Sequence, residues 1–404
     1  MLNRYTSCLT ILTIFSSTFA IADVANKPTL GRQPVSTIPA APDVAASAFI
    51  LIDSTTGKVI AEKNADQPLP PASLTKLMSS YLVTDEIESG RISESDMVNV
   101  SIKAWKMDGS RMFIKEGTLV SVGDLLRGVI IQSGNDATVA LAEYIGGDEI
   151  SFVDMMNKKA AALQMTATHF VDSSGMPAEG HLTTARDLSK LASAIVNDHP
   201  SHFKLYSERS FNYNNIRQPN RNLLLGRDPS VDGLKTGHTE EAGYCLVASA
   251  KRENTRLVAV VLGTKSDEAR TSETQKLLNY GFRYFETLTL YSNNPTVTTA
   301  QIWLGKAKTV NLGLANSVRL TVPRGRSDSI VGNVHHNEII TAPIKAGEQL
   351  GTLTIELDGK ILNEKPLIAM ELVEEAGLFS RWLDKIKLFF RDLFSSKPET
   401  PSQQ

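Results

Sequence analysis

The 404-residue chain predicts an α/β unit, then a small all-β unit, then an amphipathic helix. Three observations carry this. Strand-type runs stand at both ends of a stretch with helical periodicity, so one sheet joins the early and late parts of the first unit. Around Tyr291 to Pro295 the composition shifts to short β-type runs broken by Gly, Pro and Asn. From Leu378 to Phe394 apolar residues recur at helical spacing with charges between them.

The chain opens with Arg4, an apolar run from Leu9 to Ile21, and the small-residue close Ala20-Ile21-Ala22. That is the layout of a secretory signal over residues 1–22, cut before Asp23. The run is shorter than the roughly 20 apolar residues of a spanning helix. Cys8 precedes the apolar core and is not a lipid site. Removal of the signal leaves Cys245 alone, so an exported chain holds no internal disulfide and relies on core packing. With 42% apolar residues and a net charge of -2, the composition supports sizeable cores and offers no basic field for nucleic acid.

A Pro/Ala-rich leader (Pro34 to Pro42) precedes the first unit, expected over 36–290. Ala46 to Asp53 tends toward β structure, Ser54-Thr55-Thr56-Gly57 reads as a turn, and Lys58 to Lys63 as the return strand. Pro70-Pro71 stop the extended chain. From Ser73 onward Leu74, Leu77, Met78, Tyr81 and Leu82 fall at helical spacing until Gly90. Further helices fit Val122 to Ile131, Asp136 to Ile145, Glu149 to Leu163 and Ala185 to Val196. Val231 to Thr239, Gly243 to Ala250 and Arg256 to Gly263 are rich in strand formers, with Lys251 to Asn254 as a hairpin connection. Glu268 to Phe285 reads as helix.

In the second unit, expected over 291–375, β-type runs cover Gln301 to Leu304, Val318 to Val322, Glu338 to Ala342, Gly351 to Leu357 and Leu367 to Leu372. His335-His336 have no partner ligand at usable spacing, which points to a surface loop and no metal site. The terminal helix, expected over 376–395, sets Leu378, Phe379, Trp382, Leu383, Ile386, Phe389, Phe390, Leu393 and Phe394 along one side. Ser380, Arg381, Asp384, Lys385, Lys387, Arg391 and Asp392 lie mostly on the other. Such a helix suits the plane of a membrane surface; the alternative is docking on the chain's own core or on a second copy.

Three motifs carry chemistry: Ser73-Leu74-Thr75-Lys76, Ser133-Gly134-Asn135 and Lys235-Thr236-Gly237. Each alone is weak, since Ser-x-x-Lys is common on helices as a solvated turn. All three in order, on a helix start, a turn between helices and a strand, are much stronger. At spacing i and i+3 the Lys76 amine reaches the Ser73 hydroxyl. A serine needs a base to become a nucleophile, and a lysine at its ordinary pKa of about 10.4 is protonated and useless for that. Burial or a second cation, such as Lys235, frees the amine. Ser133 suits proton relay, and Asn135 suits holding a substrate amide. Lys235 and Thr236 suit a substrate carboxylate, and Gly237 leaves the strand edge open to a peptide. The N–H groups of Ser73 and His238 suit an oxyanion; the His238 imidazole reads as a neighbour, not a base.

On these motifs and the stretches PASLTKLMSSYL, IIQSGNDATVALAEYIGG, NRNLLL and VDGLKTGHTEEAGYCLVASA, the chain resembles low-molecular-mass penicillin-binding proteins of the D-alanyl-D-alanine carboxypeptidase type. The resemblance spans essentially its whole length. It implies a penicillin-binding/β-lactamase-like catalytic domain, an antiparallel sheet with helices on both faces and a helical subdomain. It also implies Ser73 as acyl nucleophile, Lys76 as proton acceptor, Ser133 as an active-site residue and Lys235 as substrate-binding. Arg221 and Arg270 match basic positions near the site; their alternative is ordinary surface charge. Ser110, His181 and Asp187 match rim or support positions, and Cys245 is a departure that packs its strand. The substrate implied is the peptidoglycan stem peptide, with β-lactams as covalent inhibitors and no cofactor. A β-lactamase shares the motifs, but the E-x-x-L-N stretch through which class A enzymes deacylate is absent between Asn135 and Lys235. A catalytically silent wall-binding scaffold is the remaining alternative, and the intact Ser73, Lys76, Ser133 and Lys235 argue against it.

Overall fold

In the computed structural model, which describes residues 38–395, β1 (Ala48–Asp53) and β2 (Val59–Lys63) form a hairpin. The expected signal segment lies outside the described residues. Gly57 closes the hairpin at φ +73°, a left-handed position that costs glycine little. Three more strands complete the sheet: β3 (Val231–Thr239), β4 (Gly243–Arg252) and β5 (Thr255–Thr264). Their order is β2-β1-β5-β4-β3, antiparallel throughout. The chain's early and late parts therefore share one sheet, as the sequence predicts, and β3 is an edge strand.

Both faces of the sheet are covered, which is why β1 is buried along its whole length. Phe49, Leu51, Leu246, Leu257 and Val261 pack with Leu277, Leu278 and Phe282 of the Asp267–Tyr284 helix. The alternate residues Ile50, Ile52, Cys245, Val247, Val258 and Val260 pack with Leu77 and Met78 of the Lys76–Glu88 helix and Leu188 and Leu191 of the Ala185–Asp198 helix. The period of two along a strand assigns each set to its face. Each fully buried Leu, Ile or Phe contributes roughly 1.5–3 kcal/mol relative to exposure. Cys245 is such a core residue, and burial pushes its thiol up to about 11, so it is inert.

A helical layer extends beyond the sheet, built from Val122–Arg127, Asn135–Gly146 and Glu149–Ala162. Ser121 and Asp148 cap two of these by accepting from the N–H groups of Asp124 and Ser151. The expected single helix over 122–131 is instead an α-helix to Arg127 followed by a wider π-type turn, Gly128–Gln132. Such turns concentrate at functional sites, and this one delivers Ser133.

Strand Phe285–Tyr291 pairs with Val318–Pro323. A six-stranded sheet beside it contains Thr296–Trp303, Thr309–Gly313, Ile330–His336, Ile340–Thr341, Gln349–Leu357 and Lys360–Ala369. Leu312, Leu353, Ile355 and Leu367 centre its core. Sequence periodicity missed Phe285–Tyr291, Thr309–Gly313 and Ile330–His336, and shortened the strands around Gln301 and Leu367. His335 and His336 lie on an edge strand, paired with Thr352 and Gly351, and not in a loop. Ile330–His336 has no buried residue, so backbone pairing makes it a strand without the apolar alternation that reveals one. At the junction with the central sheet, buried Asp53 accepts hydrogen bonds from Thr321 Oγ1 (2.7 Å) and Thr287 Oγ1.

The terminal helix, Leu378–Ser395, contacts this β-rich part through polar groups. Buried Asp384 accepts from the Leu304 N–H at 3.1 Å and from Lys308 Nζ at 2.9 Å. The Lys308 hydrogen bond holds its carboxyl below the usual range. Leu378, Phe379, Trp382, Phe389 and Phe390 remain exposed. No helix among the described residues is long and apolar enough to cross a membrane.

Candidate active site

Ser73 stands on a short 3₁₀ turn, Ala72–Thr75, that leads into the Lys76–Glu88 helix. Ala72 is held at φ +48°, a conformation that costs a residue with a Cβ about 1–3 kcal/mol. What pins it is Gly175: a Cβ there would lie 1.8 Å from the Ala72 carbonyl oxygen, so only glycine allows the two chain segments to meet. Lys76 follows at one helical turn, its Nζ 3.0 Å from Ser73 Oγ and 2.6 Å from the Ser174 carbonyl oxygen.

Lys76 is 1% exposed. Burial pulls its pKa down to about 7; the Arg221 charge pulls the same way, while the Asp172 and Asp136 carboxylates oppose. The expected cation for this task was Lys235; Arg221 is the one that acts on Lys76. Lys235 is itself lowered well below its ordinary value, by burial first and then by Lys76. Two ammonium groups close together in a dry site resist being charged at once.

Ser133 ends the π-type turn in the left-handed region, φ +65°. Its Oγ is buried without a hydrogen-bond partner. Buried hydroxyls are rarely left unpaired without a functional reason. Asn135 opens the next helix and is committed more than expected: its Nδ2 donates to the Asp108 carbonyl at 2.6 Å. Asp136 beside it accepts the N–H groups of Met112, Phe113 and Ile114. These bonds pin the 108–114 loop, including Ser110, whose carbonyl accepts from Asn135 N–H at 2.7 Å.

On β3, Thr236 and Gly237 face the site. A Cβ on Gly237 would meet the Pro71 carbonyl at 3.1 Å and Leu74 Cγ at 3.2 Å, so the glycine's first use is close packing on the Ser73 turn. Lys235 is buried, with Nζ 3.1 Å from the Thr236 carbonyl. His238 is exposed and lies over Tyr244, ring centroids 3.9 Å apart. Arg270 is buried and fixes the strand by donating from Nη1 to the Gly237 carbonyl at 3.1 Å, while Nη2 lies 2.6 Å from Asp267. Burial and the Arg270 charge lower the Arg221 pKa from its ordinary value.

A cleft of about 480 Å³ brings most of these together: Ser73, Ser110, Ser133, Arg221, Thr236, His238 and Arg270 line it, with Asn220, Tyr244 and Asp267. Lys76, Lys235 and Asn135 are buried against this lining, beside Ser73, Thr236 and Ser133 in turn. His181 supports from below, its Nε2 3.0 Å from Thr75 Oγ1. Asp187 serves elsewhere, accepting from the Ala167 N–H and Thr168 Oγ1 and standing in the first turn of its own helix.

Sequence reasoning missed Asp172, Ser174 and Gly175. The available signal was Asp172-Ser173-Ser174-Gly175, an aspartate-led turn. Here Asp172 Oδ1 accepts from the N–H groups of Ser174 and Gly175, both at 2.7 Å.

Comparison with known proteins matches residues 35–266 to the D-alanyl-D-alanine carboxypeptidase family and residues 285–375 to the penicillin-binding protein 5 C-terminal domain. The D-alanyl-D-alanine carboxypeptidase DacC of Escherichia coli strain K12 is 45% identical over 364 residues, 88% of this chain and 91% of that protein. The crystal structure of penicillin-binding protein 5 from Haemophilus influenzae is 38% identical, with a TM-score of 0.80 over 83% of this chain and 100% of that one. Penicillin-binding protein D2 from Listeria monocytogenes, solved in its ampicillin-bound form, is 31% identical with a TM-score of 0.56 over 60% of this chain and 100% of that one.

Proposed function

The chain belongs to the D-alanyl-D-alanine carboxypeptidase family, and from that premise we propose that Ser73, Lys76 and Ser133 carry its chemistry. It is a serine-type D-alanyl-D-alanine carboxypeptidase, a hydrolase of cell-wall biogenesis. The observation that supports the residue roles best is the buried Lys76 amine 3.0 Å from Ser73 Oγ.

The substrate is the peptidoglycan pentapeptide stem. Lys76, as a free amine, takes the Ser73 proton while Oγ bonds to the penultimate carbonyl carbon. The N–H groups of Ser73 and His238 receive the oxyanion, cast for the charge that develops there. The C–N bond then breaks as the proton on Lys76 passes through Ser133 Oγ to the departing D-alanine nitrogen, which leaves Lys76 a free amine again. Water attacks the resulting ester, one of its protons passing to Lys76 and from there to Ser73 Oγ as the C–O bond breaks; the other leaves with the acid product, so the free amine and the hydroxyl are both restored. Thr236 and Lys235 meet the substrate carboxylate, with Arg221 and Arg270 adding positive potential at the rim. Asn135 holds the substrate amide by its carbonyl oxygen. A β-lactam enters the same acylation and stalls as the ester. By trimming stems, the enzyme contributes to cell-shape maintenance.

Lys235→Ala tests the carboxylate assignment. It is expected to weaken a free-acid peptide by roughly 1.5–3 kcal/mol, the range for a hydrogen bond to a charged group, and to leave the C-terminal amide little changed. D-alanine or D-alaninamide release from the two peptides is the measurement. Equal losses on both would move the carboxylate anchor to Arg221.

The chain works after export, with residues 1–22 as its signal, on the outer face of the inner membrane. The terminal helix lays its aromatic side on the bilayer, where apolar burial supplies about 25 cal/mol per Å². The exposed Leu378, Phe379, Trp382, Phe389 and Phe390 support this. Deleting Leu378 to Gln404 is expected to move the protein to the soluble fraction with peptidase activity on soluble peptides retained, whereas high salt alone leaves the full chain bound. A truncated protein that still pellets with membranes, or has lost its activity, would place the helix in the fold instead.

A further inference from the structure

Beneath the Ser73 turn lies a connected set of buried and half-buried polar groups that the reaction scheme above does not use. Asp172 is its hub. Oδ1 accepts the N–H groups of Ser174 and Gly175 at 2.7 Å each and the Ser174 hydroxyl at 3.0 Å. Oδ2 faces His181 Nδ1 at 3.2 Å, and His181 Nε2 reaches Thr75 Oγ1 at 3.0 Å. His181 is 3% exposed and packs edge-on against Phe170, ring centroids 5.9 Å apart.

We propose that Asp172 is a positioning residue for the Ser73–Lys76 pair, acting through the Ser174 carbonyl, the Gly175 contact and His181. The inference rests on the roles given to Ser73 and Lys76 above. Three paths lead from this one carboxylate to the reacting atoms. It holds the turn whose Ser174 carbonyl takes Lys76 Nζ at 2.6 Å. It sets Gly175, which confines Ala72, the residue before the nucleophile. Through His181 it reaches Thr75, the residue before Lys76. A loop nearly a hundred positions along the chain thus decides where the Ser73 turn sits.

The same carboxylate also acts by its charge. The charged groups that bear on Lys76 are Arg221, Asp136 and Asp172, and Lys235 is the neighbour on which Lys76 itself acts. Burial and Arg221 favour the free amine; Asp172, the larger of the two opposing contributions, favours the ammonium, and the repulsion between the two lysines lowers Lys235. Asp172 is itself ionised. Burial works against that, but His181 and the N–H groups of Ser174 and Gly175 outweigh it and hold the carboxyl down at about 2. Removing the charge while keeping the acceptor therefore lowers the proton affinity of Lys76. More free amine is then present in mild acid, and the acid limb of acylation moves to lower pH.

The test is the acylation rate of the full-length protein by a fluorescent penicillin from pH 5 to 9, for wild type, Asp172→Asn and Asp172→Ala. Asn can still accept the turn's N–H bonds. Asp172→Asn is expected to shift the acid limb downward with a folded near-ultraviolet spectrum. Asp172→Ala, which also releases the turn, is expected to lose up to about 10²-fold in plateau rate, the scale for a misplacement of about 1 Å. An Asp172→Asn protein with a wild-type limb, whether its plateau is unchanged or uniformly lower, would overturn the proposal. Wild-type protein that fails to label at all would instead sink the Ser73–Lys76 assignment on which it rests.

Discussion

Ser73→Ala is expected to abolish both D-alanine release and covalent penicillin labelling while leaving the fold intact. The hydroxyl lines the cleft with a buried amine at 3.0 Å, and that amine keeps its Ser174 carbonyl partner when the oxygen is removed. Ser73 is only partly buried, and the turn is set by backbone geometry at Ala72 and by the Gly175 contact. Removing one exposed-side oxygen therefore costs chemistry and little stability. Intact-mass measurement after penicillin treatment reads the result. Wild type gains one adduct per chain and the variant none, with circular dichroism and melting temperature close to wild type. A stoichiometric adduct on the variant would put the nucleophile elsewhere, and a second serine of the cleft, Ser110 or Ser133, would be the next to replace.

Lys76→Ala is expected to lower acylation by about 10²–10⁴-fold, the usual contribution of a general base. Lys76→Arg is expected to do no better, because guanidinium stays protonated. The wild-type rate has a sign that follows from the lowered pKa. Acylation needs the free amine, so with Lys76 at about 7 the rate rises with pH through neutrality and levels off above it. Well below that point it falls about tenfold per pH unit, as the free-amine fraction does. A lysine at its ordinary value would still be climbing at pH 9. Stopped-flow acylation across pH 5 to 9 separates the two cases. A flat profile, or a limb near pH 10, would remove Lys76 from the role of base.

The motifs were legible because their spacing is local. Ser73 and Lys76 are one helical turn apart in any helix, and Lys235-Thr236-Gly237 runs along one strand. The sheet, too, was readable from its apolar runs, since β1, β4 and β5 are buried on both faces. Where the signal failed, burial was one-sided or missing. Strand Ile330–His336 is held by pairing with Gln349–Leu357 and buries none of its own residues. The terminal helix was legible as amphipathic. Which side it gives to the rest of the chain depends on one buried carboxylate, Asp384, meeting Leu304 and Lys308.

The sequence by itself determined the reaction class: a serine with a lysine one turn on, a Ser-x-Asn turn and a Lys-Thr-Gly strand, in that order, on elements able to bring them together. Tertiary structure alone decided how those groups are tuned. The Lys76 proton affinity depends on burial, on Arg221 and on Asp172. The strained Ala72–Ser73 turn depends on Gly175 having no Cβ. Asn135 turned out to brace Asp108, and Gly237 to pack on Pro71 and Leu74. The physical reason is range. Residue type and helical or strand spacing act over a few positions, whereas desolvation, charge and close contact act between segments that only the fold makes neighbours, such as Lys76 and Ser174, 98 positions apart.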